Sequence, residues 1–415
     1  MASSQPLLAA DGTPLRRKLA QSLFRSRVRA FGLTLPLLAL VICAFVIPII
    51  TMLSQSVYDD RFSRLMPTVT AALKDWDGHS PPTEAMATAL VADLIKTRKN
   101  RTIGQVATRV NREIAGARSL FTSTGRRAAK LQAPFLDSLT ATKKGWADIK
   151  IWQAMKIVSK TYTAGFIANA LDMRVDVDGS IVMQEENRRI HNTLFMRTME
   201  ISLIVTIACL LLGYPVAYLL ATLRLRTSNL LLILVLLPFW TSLLVRTTSW
   251  IAMLQSQGVM NDLFVTFGLT FDDQRFSLIY NKTGTLIAMT HIMLPFMILP
   301  LFSVMKTISP SYVRAAKSMG ASDWTAFWRV YFPQSMPGIG AGALLVFILA
   351  IGYYITPALV GGQDGQMISN FIDFHMRKSL NWNLAAALGL VLTVFVLFLF
   401  WIYDRVVGID NMKLG

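Results

Sequence analysis

The sequence predicts an all-α integral membrane protein: six transmembrane helices, with a mostly helical extracytoplasmic insert between the first and the second. Three observations carry that expectation. The chain of 415 residues is 53% hydrophobic. Only 16% of it is charged, against roughly a quarter in a soluble domain. Its apolar residues gather into runs that match the length of about 20 helical residues needed to cross a bilayer core.

The elements follow in order. Residues 1–30 form a basic tail carrying Arg16, Arg17, Lys18, Arg25, Arg27 and Arg29. Residues 31–53, FGLTLPLLALVICAFVIPIITML, are the first span. This run exceeds the apolar core of about 7–15 residues of a signal peptide, and no A-x-A site follows it. It is therefore read as a retained span with a cytoplasmic amino terminus. Residues 54–193 are polar and net basic. Met86, Leu90 and Leu94, and then Ile151, Met155, Val158 and Tyr162, recur at helical spacing, the mark of a buried face. Near its end VDVDGSIVM alternates around Asp178-Gly179, a hairpin signal. The same stretch sets Asp176, Asp178, Gly179, Ile181 and Glu185 at calcium-loop positions, but Arg174 stands where the first ligand belongs.

Five more spans follow at roughly 194–222, 228–252, 284–306, 337–360 and 383–407, within a five-helix core at 194–410. Arg224, Arg226, Lys306, Arg314, Lys317 and Arg329 fall in its cytoplasmic loops. The outer loops at 253–283 and 361–382 balance their cations with acids, so the positive-inside rule puts the carboxyl terminus in the cytoplasm too. The expected location is a bacterial plasma (inner) membrane, crossed several times.

Much chemistry is absent. No phosphate-binding G-x-x-x-x-G-K-[ST] loop occurs, so nucleotide hydrolysis must belong to another chain. His79, His191, His291 and His375 lack metal-ligand or nucleophile spacing, and Cys43 and Cys209 offer no disulfide framework. The sequence thus names no catalytic residue, no metal and no cofactor of its own. The basic excess lacks the aromatic-interleaved stripe of a nucleic-acid binder. Spans almost free of mid-depth acids argue against an ion-driven carrier.

RAAKSMGASDWTAFWRVYFP, residues 314–333, is different in kind. Ser309 caps a helix that Pro310 opens, and Gly320 ends it in a left-handed turn. Ser322 caps a second helix, which Pro333 is expected to stop. Ala315, Ala316 and Gly320 are small enough to admit another surface. Trp324, Phe327, Trp328 and Tyr331 are bulky enough to lie against the bundle. An interfacial re-entry loop anchored by aromatics fits the same spacing.

Here a resemblance becomes specific. Arg314-Ala315-Ala316, Gly320, Val330 and Phe332-Pro333 match in spacing the E-A-A, G, I-x-L-P pattern of permease subunits of binding-protein-dependent ABC importers. The similarity extends through 194–410, including RTMEISLIVTIACLLLGYPVAYLLA and PGIGAGALLVFILAIGYYITPALVGG, and looks like the spermidine/putrescine branch of the type I family. The resemblance implies a loop within 309–333, with Arg314, Ala315, Ala316, Met319, Gly320, Ala321 and Pro333, that couples the permease to a separate ATPase. It implies two ATP-binding cassette subunits, which hold the ATP and Mg, a second and usually non-identical permease, and an extracytoplasmic solute-binding protein. Arg314 departs from the family's glutamate.

Polar and aromatic side chains within spans are candidates to line a solute path: Trp240, Thr241, Arg246, Trp250, His291, Tyr353 and Tyr354. Helix packing and interfacial anchoring use the same residue types. The branch points to a polyamine or related small organic solute, while the charges of the outer loops nearly cancel. The competing class is a membrane-anchored sensor or scaffold whose insert binds a ligand; only an importer requires an ATPase, a second permease and a binding protein as neighbours.

Overall fold

A computed structural model describes residues 15–407. Positions 1–14 of the basic tail and 408–410 of the expected core lie outside the described residues. The chain divides into a unit ending at Gln55 and another beginning at Ser56. The first is a single helical rod, Leu15–Val41 continued through a π-helical turn, Ile42–Val46, into Ile47–Ser54. Its segment Ser22–Ser54 is long and apolar enough to cross a membrane.

The second unit holds four further helices that meet the same test: His191–Thr222, Lys282–Thr307, Asp323–Gly352 and Trp382–Arg405. Among the described residues this makes five spans, or six if the bent pair Leu225–Trp240 and Leu243–Thr266 is one. That pair corrects the straight span expected at 228–252. It turns by 95°, with Pro238 in a short 3-10 turn before the break and Ser242 capping the new helix through the Val245 amide at 3.2 Å.

The span expected at 337–360 is also different. Its helix ends at Gly352, and Ile355–Val360 is a separate short helix. Pro357 has no amide hydrogen for the Tyr353 carbonyl, which the helix would otherwise bond. A side chain takes over: Ser369 Oγ donates to the Tyr353 carbonyl at 2.8 Å, while Asn370 Nδ2, at 2.7 Å, joins the Ala358 amide on that of Tyr354.

Pro333 does not stop the second loop helix, contrary to the sequence expectation. Asp323–Ala326 runs through a π turn, Phe327–Tyr331, straight into Phe332–Gly352. A proline ring crowds the carbonyl four residues earlier, here that of Arg329, inside the wider π turn. The first unit repeats the device, with Pro48 four residues after Ala44 of its own π turn.

The centre of the bundle is a trio of helices, 191–222, 282–307 and 332–352. Ile201, Val205, Cys209, Met293, Met297, Leu301 and Val346 are buried between them. With no hydrophobic drive between helices in lipid, close approach at small residues supplies the packing. At Gly342 a Cβ would lie 3.1 Å from the Met297 carbonyl oxygen and 2.8 Å from its sulfur, so a larger residue must displace Met297.

The insert is a helical domain with its own core. Trp146 and Trp152 are fully buried at its centre. Their indole N–H groups are satisfied by Thr124 Oγ1 at 2.9 Å and the Trp146 carbonyl at 3.0 Å. Met86, Leu90, Leu94, Ile151, Met155 and Val158 are buried as their spacing requires. Tyr162 is not: it lies beyond the helix end at Ser159, 74% exposed, and bridges to Tyr58. The only sheet among the described residues is the antiparallel hairpin of Met173–Val175 with Ile181–Met183. Gly179 takes φ +86° in its turn, and Asp178 pairs with His79 at 2.8 Å, so the calcium-loop positions serve a turn.

Contacts at several points fasten this domain to the bundle. Phe166 and Ala170 pack with Leu194, Ile368, Leu384 and Leu388. Asp172, 1% exposed, accepts from the amides of Ile190, His191 and Asn192 at 3.2, 3.0 and 2.8 Å. A carboxylate there caps the amino end of the 191–222 span and complements its dipole.

Near the same junction Asp59 takes bonds from Arg61 Nε and Nη2 at 2.7 and 2.8 Å and pairs with Arg109 Nε at 2.8 Å. Burial pushes its pKa up, but the Arg61 hydrogen bond and the charges of Arg109 and Arg61 outweigh that and hold it below the usual aspartate value.

Two outcomes are expected. Replacing Gly342 with valine overpacks the trio and costs about 1–3 kcal/mol, read as a lower melting temperature of the detergent-solubilised chain. A depressed carboxylate stabilises fully above its unfolded-state pKa and ceases to as pH falls through the lowered folded value. Tryptophan fluorescence of the insert should therefore report loosening on acidification, and Asp59→Asn should remove that component.

Candidate functional site

Two sets of candidate residues come into view, one on the 309–333 loop and one beside the bent helix pair. The loop begins as its sequence dictates. Ser309 Oγ accepts from the Ser311 amide at 3.4 Å, and Pro310 opens the helix Pro310–Ser318. Gly320 has φ +90°. Its amide donates to the Lys317 carbonyl at 2.9 Å, and that of Ala321 to the Ala316 carbonyl at 3.1 Å. This is the Schellman pair of bonds that satisfies the last carbonyls of a helix. Ser322 Oγ then accepts from the Thr325 amide at 3.2 Å, and Lys317 pairs with Asp323 across the bend.

The outward face of the loop is small and basic. Arg314, Ala315 and Gly320 are exposed, and Met319 is 82% exposed at the tip. Ala316 differs from the sequence expectation. It is 4% exposed, turned inward under the turn, so its small size serves the loop's own packing. Ala321 is half-buried, and Pro333 lies at the start of the following helix.

The inward face is aromatic. Phe327 sets its ring edge-on to Tyr214 and Tyr218, with centroids 6.2 and 5.9 Å apart. Tyr331 meets Tyr218 at 5.1 Å, and Phe332 meets Tyr214 at 5.8 Å. Edge-to-face pairs of this kind add about 0.5–1.5 kcal/mol each beyond the area they bury. Tyr214 also hydrogen-bonds Ser335 Oγ at 3.0 Å. Trp324 and Trp328, expected against the bundle, are instead 72% and 44% exposed. Tyr214 and Tyr218 escape the sequence reading; their spacing of four on one span, facing an aromatic loop, is the available signal.

The second set is only partly assembled. Trp250 Nε1 donates to His291 Nδ1 at 3.2 Å, which places the imidazole proton on Nε2. Arg246 lies within electrostatic reach of His291 and of the Tyr353 hydroxyl. Its Nε is buried with no partner among the described residues. Thr247 and Thr356, both fully buried, face each other at 3.2 Å and tie the bent helix to the break after Gly352. Trp240 and Thr241 stand at the bend, Trp240 75% exposed and Thr241 bonded to the Pro238 carbonyl. Tyr354 belongs elsewhere, under the Arg377 guanidinium at 5.6 Å. The two threonines escape the sequence reading because a lone Thr in a span also bonds its own helix, as Thr247 does to the Leu243 carbonyl.

Arg246, Trp250, His291 and Tyr353 thus converge, with no carboxylate taking part in any of these contacts. Among the described residues no group of three or more His, Cys, Asp or Glu side chains is placed to hold a metal ion.

Residues 202–408 match the family described as "Binding-protein-dependent transport system inner membrane component". The chain is 34% identical over 216 residues to the spermidine/putrescine transport system permease protein PotB of Haemophilus influenzae, a match covering 52% of this chain and 75% of that one. It is 33% identical over 218 residues to PotB of Escherichia coli K12, covering 52% and 78%. Among solved structures it is similar to a chain of a bacterial alginate ABC transporter in complex with an alginate pentasaccharide-bound periplasmic protein. That match has 16% identity and a TM-score of 0.44, over 55% of this chain and 81% of that one.

The loop geometry sets an expected outcome. A Cβ at Gly320 meets nothing within 4 Å, so a substitution there acts through the backbone alone. Gly320→Val should cost about 1–2 kcal/mol for a left-handed turn, seen as faster amide exchange across 316–326 with the bundle unchanged. Gly320→Ala should fall between the two.

Proposed function

The chain belongs to the binding-protein-dependent transport system inner membrane components, the permease subunits of ABC importers, and on that premise we propose how its parts divide the work. It is a multi-pass protein of the bacterial inner membrane and a transport subunit rather than an enzyme. Its family implies an ATPase and a solute-binding protein as partners.

The 309–333 loop is the seat of the ATPase. The observation that carries this reading is its two-faced construction. An exposed tip of Arg314, Ala315, Met319 and Gly320 is held by caps at both helices. Behind it an aromatic face grips Tyr214 and Tyr218. Ala315 and Gly320 let a partner surface approach the backbone between Arg314 and Met319, and a stiff, anchored base passes that partner's movement into the trio of helices. Arg314 replaces an acid, so the partner groove should present acidic residues to it. ATP and Mg are held by two cassette subunits, and a second, non-identical permease completes the path. Both termini are cytoplasmic, and the 54–193 insert is extracytoplasmic.

The solute passes beside the bent helix pair, at Arg246, Trp250, His291 and Tyr353, with Trp240 and Thr241 at the bend. A bend within a span frees backbone polar groups, which membrane proteins tolerate where the segment lines a cavity or is buried in protein. The Arg246 Nε supports the same placement, because a buried guanidinium nitrogen without a partner calls for water or solute. The relatives' substrate suggests a polyamine or a related small organic solute.

Three measurements test this. Met319→Cys should crosslink to the ATPase in the purified complex and resist impermeant thiol reagents applied from outside cells; labelling from outside, or no capture, overturns the coupling assignment. In proteoliposomes with the binding protein, a polyamine should stimulate ATP hydrolysis. Arg246→Ala should cut transport about tenfold or more if this side chain interacts with the moving solute, given the worth of a charged hydrogen bond, while leaving ATPase capture intact.

A further inference from the structure

The insert and the start of the last span enclose a cavity of about 460 Å³ lined by Arg61, Arg109, Arg112, Arg118, Lys378 and Ser379, with no carboxylate on its wall. Two acids lie nearby, and both are engaged. Asp59 is held by Arg61 and Arg109, and Glu113 accepts from Arg109 Nη1 at 2.7 Å. Arg109 is only 4% exposed.

The remaining cations have no acid of their own among the described residues. Arg112 Nη2 donates to the Leu380 carbonyl at 2.8 Å, while its Nη1 is buried with no partner. Burial, with Arg61 and Arg109 beside it, pushes the Arg112 pKa down to about 10, still charged at neutral pH. Arg118 and Lys378 are exposed at the mouth. A buried guanidinium nitrogen left open in a cationic cavity is a standing cost that an oxyanion removes.

The level of the cavity narrows the source of that anion. Lys378, Ser379 and Leu380 immediately precede the span that begins at Trp382, and Trp382 is itself 44% exposed. Aromatic residues at a span end mark the headgroup layer. Phosphodiesters sit at that depth whichever side of the membrane it is, and guanidinium forks match phosphate oxygens in geometry.

We propose that this cavity is a phosphate-binding site for the headgroup of an anionic phospholipid, seated on Arg112 with Arg118 and Lys378 closing over it. The site ties the insert to the bilayer surface at the last span.

The test uses the full chain in a non-ionic detergent, with adducts counted by native mass spectrometry. Phosphatidylglycerol or phosphatidylcholine of equal chain length is titrated, and inorganic phosphate is titrated separately by calorimetry. Phosphatidylglycerol should bind one tight site about tenfold or more better than phosphatidylcholine. That preference should vanish in Arg112→Gln/Arg118→Gln/Lys378→Gln. Arg118→Gln/Lys378→Gln, confined to exposed positions, should weaken it partly and guards against misfolding of the triple variant. Inorganic phosphate binding with the same variant sensitivity, but no lipid preference, would keep the oxyanion site and reassign its ligand to a soluble anion, overturning the lipid assignment. Equal retention of the two lipids by the unaltered chain, with no phosphate binding, or a preference indifferent to both variants, overturns the site.

Discussion

The bundle depends on one close approach, that of the 332–352 helix to the 282–307 helix at Gly342 and Met297. The Gly342 backbone lies directly against the Met297 carbonyl and side chain, with no room of its own for a Cβ. The 191–222 helix closes the trio, and its tyrosines reach down to grip the 309–333 loop. Loop and trio are therefore one mechanical piece. A force applied at Met319 has no soft joint through which to dissipate before it reaches the helices: the turn at Gly320 is closed by two backbone bonds, and the π turn at Phe327–Tyr331 is walled by aromatic rings.

Regular helices supply the rigidity, and their interruptions supply the chemistry. The chain breaks its spans at two places, after Trp240 and after Gly352, and these breaks meet through Thr247 and Thr356. Each freed carbonyl must find a donor, because lipid offers none. At Tyr353 the donor comes from the Ile368–Arg377 helix, through Ser369, and Asn370 of the same helix adds a second bond to the Tyr354 carbonyl. The polar cluster of Arg246, Trp250 and His291 gathers on and against the second half of the bent pair.

Much of this was legible in the sequence. Run length and composition marked the spans, and the caps at Ser309, Gly320 and Ser322 are read from the chain and found in place. What was hidden lay in geometry that composition does not encode. The Pro333 signal said stop, and a π turn let the helix pass. The run 337–360 looked continuous because its interruption depends on Ser369 and Asn370, residues that follow it in sequence. Ala316 looked like docking surface and is buried, because helical phase alone does not say which flank a bend will cover. Of the pathway candidates, the four that converge could not be separated from Trp240, Thr241 and Tyr354 by residue type.

The cap supplied by Asp172 bears on how such a chain may be rebuilt. The family match is confined to residues 202–408, which invites excision of the inserted domain up to Arg189 to obtain a minimal carrier. That cut would carry away the carboxylate closing the top of a membrane helix, leaving the backbone amides of Ile190, His191 and Asn192 without their acceptor at the bilayer surface. A shortened version must keep the stretch around Asp172 or graft another acid into its place, so the inserted domain has become part of the architecture it interrupts.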